Sequence, residues 1–264
     1  MKHSNRFFCF GLLAILLSTL TTIALAQNST PSAPTINARG YLLTDFNSGR
    51  ILASKAANKK LDPASITKLM TAYAIFKAIE SDQIKLNDEV LISKKAWRTK
   101  GSRMFIEAGK RVSVEELLQG MIVQSGNDAS VALAEFAAGT EETFTQIMNQ
   151  LAADLHMVNT HYQNSTGLPA EDHYTSAADI TKLANALIRE FPDKYRWYSQ
   201  KQFTYNGITQ GNRNSLLWRD ESVDGMKTGY TENAGYCLVA SAERNGMRLI
   251  SVVLGTESPA ARAK

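Results

Sequence analysis

Alternating apolar and polar positions near the start of the chain predict a pair of strands. Two segments within residues 40–54 follow this period of two on either side of Asn47-Ser48-Gly49. Glycine adopts positive φ at little cost, so this connection favours a β-hairpin. Asn245-Gly246 is a stronger hairpin signal, because alternating or β-branched segments flank it at 236–243 and 247–254. Strands are therefore expected at both ends of the chain.

Helical spacing dominates the sequence between these two hairpins. Apolar residues recur at helical intervals over residues 65–80. Ser113 followed by Glu116 is a capping-box pattern that predicts another helix start. Three further segments have helical spacing, each with its own start signal: residues 128–138, 141–155 and 176–191. The predicted fold is α/β in the broad sense and α+β in detail, with an antiparallel sheet built from both termini and packed against an inserted helical lobe.

The first 26 residues have the composition of a secretory signal peptide. Lys2 and Arg6 precede an apolar run, and Ala24-Leu25-Ala26 suits cleavage before Gln27. Polar residues interrupt the run before the ~20 residues that a membrane-spanning helix needs. The expected organisation is a signal peptide over residues 1–26, a flexible leader over 27–37 and one folded domain over 38–264.

Composition and charge disfavour several classes of function. The formal net charge is +4, and without Lys2 and Arg6 the chain carries 27 basic and 25 acidic residues. No basic run is interleaved with aromatic residues, so nucleic acid is not an expected partner. Cys9 leaves with the signal peptide and Cys237 remains alone, so the exported monomer has no internal disulfide.

Ser65 and Lys68 form a Ser-x-x-Lys motif at the start of a predicted helix. Residues three apart on a helix share a face, so the lysine amine can reach the serine hydroxyl. A serine becomes a nucleophile when a neighbouring base takes its proton, and a lysine serves as this base if burial or a second cation lowers its pKa. The alternative is an ordinary helix N-cap followed by a solvated lysine.

Two further motifs follow the first. Ser125-Gly126-Asn127 lies between two predicted helices. One interpretation is a plain turn that caps the next helix. The other is a functional motif, in which these groups transfer a proton and hold a peptide. Lys227-Thr228-Gly229 is either an exposed strand start or a carboxylate site whose glycine lets a peptide lie against the strand. Lys227 is also a candidate for the cation beside Lys68. Chance explains one such match far more easily than all three in this order.

With these motifs, the chain resembles the low-molecular-mass penicillin-binding proteins of the D-alanyl-D-alanine carboxypeptidase family. The resemblance spans about residues 38–262 and includes Asp62-Pro63-Ala64, Gly167-Leu168-Pro169, residues 173–177, Asn212-Arg213-Asn214, residues 216–218 and Val223-Asp224-Gly225. It implies a β-lactamase/transpeptidase-like fold and removal of the terminal D-alanine from peptidoglycan pentapeptides through a serine acyl-enzyme. It also implies inhibition by β-lactams, a part in cell wall biogenesis and cell shape, and a location in the periplasm or on the outer face of the inner membrane.

The resemblance implies roles for individual residues. Ser65 is expected to be the nucleophile, Lys68 its general base, and Ser125 the carrier of a proton to the leaving group. The expected substrate-binding residues are Asn127, Lys227, Thr228, Gly229, Tyr230, Arg213 and Arg262, and the backbone N–H groups of Ser65 and Tyr230 are the expected oxyanion hole. Arg262 lies two residues from the end of the sequence, a position where chains often fray, so it is the weakest of these assignments. No cofactor and no metal are expected.

Two features depart from the family pattern. Some relatives have histidine where this chain has Tyr230, and the change is expected to alter acylation or deacylation rates. Family members usually continue into a β-rich domain and an amphipathic helix that docks on the membrane, whereas this sequence stops at Lys264. The chain is therefore interpreted as a fragment or a free periplasmic form, and contact with a membrane surface depends on an anchor outside this sequence.

Other functions are compatible with some of the same motifs. A D,D-endopeptidase would act on cross-linked peptide, and a non-catalytic protein would only bind peptidoglycan. A class A β-lactamase would carry aspartate in place of Gly126 and a glutamate-bearing loop, and residues 159–172 offer only Glu171 for that glutamate. Ser-His-Asp and metal hydrolases are disfavoured, because the sequence has no Gly-x-Ser-x-Gly or His-Glu-x-x-His motif.

Overall fold

The computed structural model describes residues 35–264, and its longest strands lie at the two ends of this range. The strands in this range are β1 (Ala38–Asp45), β2 (Ile51–Lys55), β3 (Glu89–Leu91), β4 (Arg111–Ser113), β5 (Gln202–Tyr205), β6 (Ile208–Gly211), β7 (Val223–Thr231), β8 (Gly235–Arg244) and β9 (Met247–Thr256). The expected signal peptide and most of the expected leader lie outside the described residues.

The main sheet has five antiparallel strands in the order β2-β1-β9-β8-β7. Both predicted hairpins are present, and the second turns through Asn245 and Gly246 at φ values of 52° and 76°. Positive φ at both central residues is the backbone that an Asn-Gly pair favours. β1 pairs with β9, with Leu42 opposite Val252, so strands from the two ends of the range are neighbours. The prediction of one antiparallel sheet from both ends is confirmed.

The helices lie between the two parts of the sheet, apart from one short helix after it. They are α1 (Lys68–Glu80), α2 (Lys94–Arg98), α3 (Val114–Val123), α4 (Asn127–Ala138), α5 (Glu141–Asp154), α6 (Ala177–Glu190), α7 (Pro192–Tyr195), α8 (Leu216–Arg219) and α9 (Pro259–Arg262). Ser113 and Glu116 form the predicted capping box, and Gly139 at φ 78° and Thr140 separate α4 from α5. The sequence predicts neither the helices of four or five residues nor the β5–β6 hairpin, because so few residues carry little periodicity.

Two helix starts differ from the sequence prediction. The segment around Ser65 begins as a 3-10 turn, Ala64–Thr67, and α1 starts only at Lys68. Asn127 is the first residue of α4, and its side chain makes no capping hydrogen bond. The interpretation of Asn127 as a helix cap is therefore wrong. Its amide is available for contacts outside its own helix.

The start of α1 lies where the helical lobe meets the sheet. α1 contacts α4, α5 and α6, and its residues from Lys68 to Phe76 are all buried. α6 packs against β1 and β9. β7 is one of the two edge strands of the sheet, and it packs against the 3-10 turn that carries Ser65. Packing of the backbone alone therefore brings the first and third motifs together.

Candidate active site

The turn that carries Ser65 is packed closely against two glycines. A Cβ added to Gly229 of β7 would stand 3.1 Å from both Ala64 Cβ and Ser65 N. A Cβ added to Gly167, at φ 84°, would stand 1.8 Å from the Ala64 carbonyl oxygen. Such close backbone approach requires glycine. The direction in which a Gly229 side chain would point is therefore filled by the chain's own turn.

The Lys68 amine lies beside the Ser65 hydroxyl. Lys68 Nζ is 3.1 Å from Ser65 Oγ and 2.6 Å from both Asn127 Oδ1 and the Thr166 carbonyl oxygen. The last two atoms accept hydrogen bonds and cannot donate them. A neutral amine can direct its two N–H groups at these acceptors and keep its lone pair for the Ser65 hydroxyl. This is the arrangement of a base next to a nucleophile.

The environment of Lys68 favours the neutral amine. The residue is 1% exposed. Burial lowers the pKa of Lys68 to about 7, the charge of Arg213 acts in the same direction, and Asp128 and Glu141 oppose it. An amine with this pKa is partly neutral near pH 7, as a general base must be.

Ser125 and Lys227 bring the second and third motifs together. Ser125 lies in the short connection between α3 and α4 and has a positive φ of 66°. Lys227 Nζ donates hydrogen bonds to Ser125 Oγ at 2.9 Å and to the Thr228 carbonyl oxygen at 3.0 Å. Burial lowers the pKa of Lys227 well below its ordinary value, and nearby cationic side chains, Lys68 first among them, add to the effect. Backbone strain at a residue with such contacts is common at functional sites.

Asn127 connects Lys68 to the segment of residues 100–106, which forms one wall of the cleft described below. Its Oδ1 accepts from Lys68, and its Nδ2 donates to the Lys100 carbonyl oxygen at 2.6 Å. The neighbouring Asp128 is fully buried and accepts hydrogen bonds from the backbone N–H groups of residues 104–106. The first turn of α4 therefore holds the wall in place, and one hydrogen of the Asn127 amide is left for a ligand.

These groups meet at a cleft of about 700 Å³. Eight of the ten predicted site residues line it: Ser65, Ser125, Asn127, Arg213, Thr228, Gly229, Tyr230 and Arg262. The remaining two, Lys68 and Lys227, are buried directly behind the two serines that they contact. Folding thus brings all ten predicted site residues to this cleft.

Arg262 and Tyr230 border the cleft beyond the third motif. Arg262 Nη1 donates to the carbonyl oxygens of Gly229 at 3.1 Å and Cys237 at 3.3 Å. These contacts join α9 to β7 and β8. Tyr230 is 52% exposed, and its ring stacks on Tyr236 at a centroid distance of 4.3 Å.

Comparison with known proteins identifies the family. The model of the peptidase family S11, described as D-alanyl-D-alanine carboxypeptidase, matches residues 27–258. The chain belongs to this family. The D-alanyl-D-alanine carboxypeptidase DacC of Escherichia coli (strain K12) is 48% identical over 242 residues, which are 89% of this chain and 60% of that protein. The resemblance drawn from the three motifs is confirmed.

Solved structures agree with this carboxypeptidase-family assignment. Penicillin binding protein 5 from Haemophilus influenzae has a TM-score of 0.85 and 43% identity, with 88% of this chain and 69% of that chain covered. Penicillin-Binding Protein D2 from Listeria monocytogenes, in the ampicillin bound form, has a TM-score of 0.80 and 28% identity, with coverages of 87% and 94%. The chain spans about three fifths of the length of the first curated relatives.

One contributor to this carboxypeptidase-family site has no role in the sequence interpretation, namely the loop 164–168. Its Thr166 carbonyl oxygen accepts from Lys68, as described above. Asn164 Oδ1 shapes the loop by accepting from the backbone N–H groups of Thr166 and Gly167 at 3.2 Å and 2.8 Å. The motif comparison picks out Gly167, but every residue has a carbonyl group, so no residue type marks the one that contacts Lys68.

His173 lies close to the turn that carries Ser65. Its Nε2 is 3.0 Å from Thr67 Oγ1, and its Nδ1 accepts from the Gln163 N–H at 3.2 Å. Burial lowers the pKa of His173 to about 4, so the ring is neutral. Within residues 35–264, no cluster of His, Cys, Asp or Glu has the composition to hold a metal ion, and no helix in that range is long and apolar enough to cross a bilayer.

Proposed function

We propose that this chain carries the catalytic site of a serine D,D-carboxypeptidase, which removes the terminal D-alanine from peptidoglycan stem peptides. The contact pattern of Lys68 carries the proposal: two groups that can only accept take its N–H groups, and Ser65 Oγ faces the remaining position. The names of the family and of its relatives support the substrate class.

Acylation would begin when Ser65 Oγ attacks the carbonyl carbon of the penultimate D-alanine and its proton passes to Lys68. Negative charge then develops on the carbonyl oxygen, and the backbone N–H groups of Ser65 and Tyr230 are the proposed donors to it. The C–N bond breaks, and the proton that Lys68 accepted passes through Ser125, which Lys227 holds by a hydrogen bond, to the leaving amine, so that Lys68 is neutral again. D-alanine departs, and an ester on Ser65 remains. Water then attacks the ester carbonyl, Lys68 takes a proton from this water, and the proton passes to Ser65 Oγ as the ester C–O bond breaks.

The terminal carboxylate of the substrate is proposed to bind at the basic end of the cleft. Arg213, Thr228 and Arg262 all line this cavity. Guanidinium groups bind carboxylates through paired, charge-assisted hydrogen bonds. The peptide backbone is proposed to lie along the free edge of β7 and to meet the remaining amide hydrogen of Asn127.

A β-lactamase is the nearest alternative within this fold. Rapid loss of a penicillin acyl group in class A enzymes depends on a glutamate that activates water. The residues described as lining the cleft include no Asp or Glu, and Glu171 is exposed outside that lining. We therefore propose that β-lactams form long-lived adducts here and inhibit the enzyme. The ampicillin bound form of the Listeria protein supports this proposal.

Release of D-alanine from a pentapeptide ending in D-Ala-D-Ala tests the proposed function. The comparison includes wild type, Ser65→Ala and Ser102→Ala, since Ser102 lines the same cleft without a proposed role. Wild type and Ser102→Ala should release D-alanine, and Ser65→Ala should not. Cleavage of cross-linked dimer alone would favour an endopeptidase, and rapid turnover of penicillin would favour a β-lactamase. If the protein neither releases D-alanine nor forms an adduct with penicillin, a non-catalytic binding protein would be favoured.

We also propose that residues 1–26 direct export to the periplasm and that residues 38–264 form the catalytic domain. The pattern Ala24-Leu25-Ala26 before Gln27 supports this proposal. N-terminal sequencing of protein recovered from a periplasmic extract should begin at Gln27. An uncleaved N-terminus would contradict the proposal.

A further inference from the structure

Glu141 is a largely buried carboxylate that the mechanism above does not use. It is the first residue of α5, and its side chain is 12% exposed. Its Oε1 accepts hydrogen bonds from the Ser165 backbone N–H at 3.0 Å and from Ser165 Oγ at 2.8 Å. Its Oε2 pairs with Lys95 Nζ at 3.1 Å. The carboxylate thus joins α5 to the loop 164–168, whose Thr166 carbonyl contacts Lys68.

Ser165 is held from its carbonyl side as well. Its carbonyl oxygen accepts from Thr71 Oγ1 and Ser130 Oγ, both at 2.7 Å. Thr71 belongs to α1 and Ser130 to α4, so α1, α4 and α5 all hold Ser165. The next residue along the loop supplies the Thr166 carbonyl oxygen, 2.6 Å from Lys68 Nζ. The position of this acceptor therefore depends on how Ser165 is held.

We propose that Glu141 is a positioning residue: by holding Ser165, it keeps the Thr166 carbonyl on Lys68 and so aims the lone pair of the amine at Ser65. The inference rests on the proposed function, because it takes Lys68 as the base. If the carbonyl moves away, a Lys68 N–H can turn toward Ser65 Oγ, and the lone pair no longer faces the hydroxyl. Glu141 acts on the chemistry only through this chain of contacts.

The charges around these groups set the direction of the pH effect. Lys95 on α2 faces Glu141. The groups that face Lys68 from the surrounding elements are Asp128, Arg213, Lys227 and His173. The charge of Glu141 raises the pKa of Lys68. Removing that charge and displacing the carbonyl acceptor both disfavour the ammonium form of Lys68. The fall of the acylation rate at low pH, called the acid limb, should therefore move to lower pH.

Glu142 offers a matched control. It is the next residue of α5, and it also pairs with Lys95, at 3.1 Å. Its side chain is 75% exposed and makes no hydrogen bond to the loop 164–168. Glu142→Ala therefore removes a carboxylate from the same helix terminus and a partner from the same lysine, and it leaves Ser165 held.

The test measures acylation of Ser65 by a penicillin as a function of pH, from the mass of the intact protein, together with the melting temperature. Glu141→Ala should slow acylation by about tenfold or more and shift the acid limb to lower pH, since small displacements of catalytic groups have effects of this size. Glu141→Gln keeps an oxygen acceptor for Ser165, so it should recover most of the maximal rate with the limb still shifted. Glu142→Ala should match wild type.

Equal rates in Glu141→Ala and wild type would overturn the inference. A slow Glu141→Ala with an unmoved acid limb would also overturn it, because Glu141 would then not act through Lys68. No recovery in a Glu141→Gln that keeps the wild-type melting temperature would overturn it as well, because an oxygen acceptor for Ser165 would then not be what Glu141 supplies. If Glu141→Ala does not fold, the acylation rates of Ser165→Ala and Glu142→Ala are compared instead. Ser165→Ala should then be the slower of the two. No adduct in wild type would contradict the proposed function instead, so the two failures are distinguishable.

Discussion

Lys227 Nζ lies 2.9 Å from Ser125 Oγ, and both residues are almost completely buried. Lys227 belongs to the edge strand β7, and Ser125 belongs to the connection between two helices of the lobe. The hydrogen bond therefore joins the sheet to the helical lobe across the cleft. A buried amine held by a hydroxyl and a carbonyl has few ways to move, so it fixes the orientation of the Ser125 hydroxyl, as the proton transfer proposed for Ser125 requires.

Replacement of Lys227 by methionine should slow acylation strongly. The substitution keeps the length of the side chain and removes the donor to Ser125, so the hydroxyl loses its orientation. A loss on the order of 10²- to 10³-fold is expected, comparable to loss of a fixed donor in other active sites. Acylation by a penicillin, followed by intact-protein mass, measures it. An unchanged rate in folded protein would show that Ser125 does not need Lys227.

Acylation should rise with pH through the pKa of Lys68, which burial lowers to about 7. Protonation removes the lone pair that takes the serine proton, so the rate falls as pH falls. Lys68→Arg should lose about 10²- to 10⁴-fold at every pH, because arginine stays protonated and general-base catalysis is lost. A rate profile that is flat between about pH 5 and pH 9 would contradict the role of Lys68 as base.

Arg262→Gln should weaken binding of a substrate with a free terminal carboxylate. Charge-assisted hydrogen bonds contribute about 1.5–3 kcal/mol, so KM is expected to rise roughly tenfold to a hundredfold. A pentapeptide amide is the control substrate, because it lacks the charge that the guanidinium is proposed to bind. The variant should lose much less against the amide. An equal loss on both substrates would point to a structural role for Arg262, through its contacts with Gly229 and Cys237.

Gly229→Ala should both destabilise the fold and slow acylation. The new Cβ would lie 3.1 Å from Ala64 Cβ, Pro63 O and Ser65 N, and two of these are backbone atoms that cannot swing away. A loss of about 1–3 kcal/mol in the free energy of unfolding is expected from such overpacking. Gly211→Ala is the control, since its Cβ would meet nothing within 4 Å. Urea unfolding measures the loss of stability, and acylation by a penicillin measures the loss of rate. Equal stability and equal rates in Gly229→Ala and Gly211→Ala would contradict the prediction.

Treatment with a chelator should leave D-alanine release unchanged. Every proton transfer and every charge contact proposed above uses side chains or backbone groups of this chain. Release of D-alanine from the pentapeptide is measured before and after incubation with EDTA and gel filtration. Activity that disappears and returns on addition of a divalent cation would contradict the proposed mechanism.

The sequence by itself determined the features that depend on residues close together in the chain. The Asn245-Gly246 turn has positive φ at both positions because these residues tolerate it locally. The capping box of Ser113 and Glu116 depends on four consecutive residues. The Ser-x-x-Lys spacing likewise placed the amine within reach of the hydroxyl, although the first residues form a 3-10 turn. Local geometry and the order of the motifs were sufficient to recognise the family.

Only the tertiary structure decided which distant groups complete the site. The Thr166 carbonyl is 98 residues away from Lys68 in sequence, and it is chemically identical to every other backbone carbonyl. The need for glycine at Gly229 comes from the turn that carries Ser65, a segment distant in sequence, which packs where a side chain would stand. The pKa of Lys68 is lowered because folding removes water from its amine. Packing between distant segments sets burial and close approach, and no short stretch of sequence encodes either.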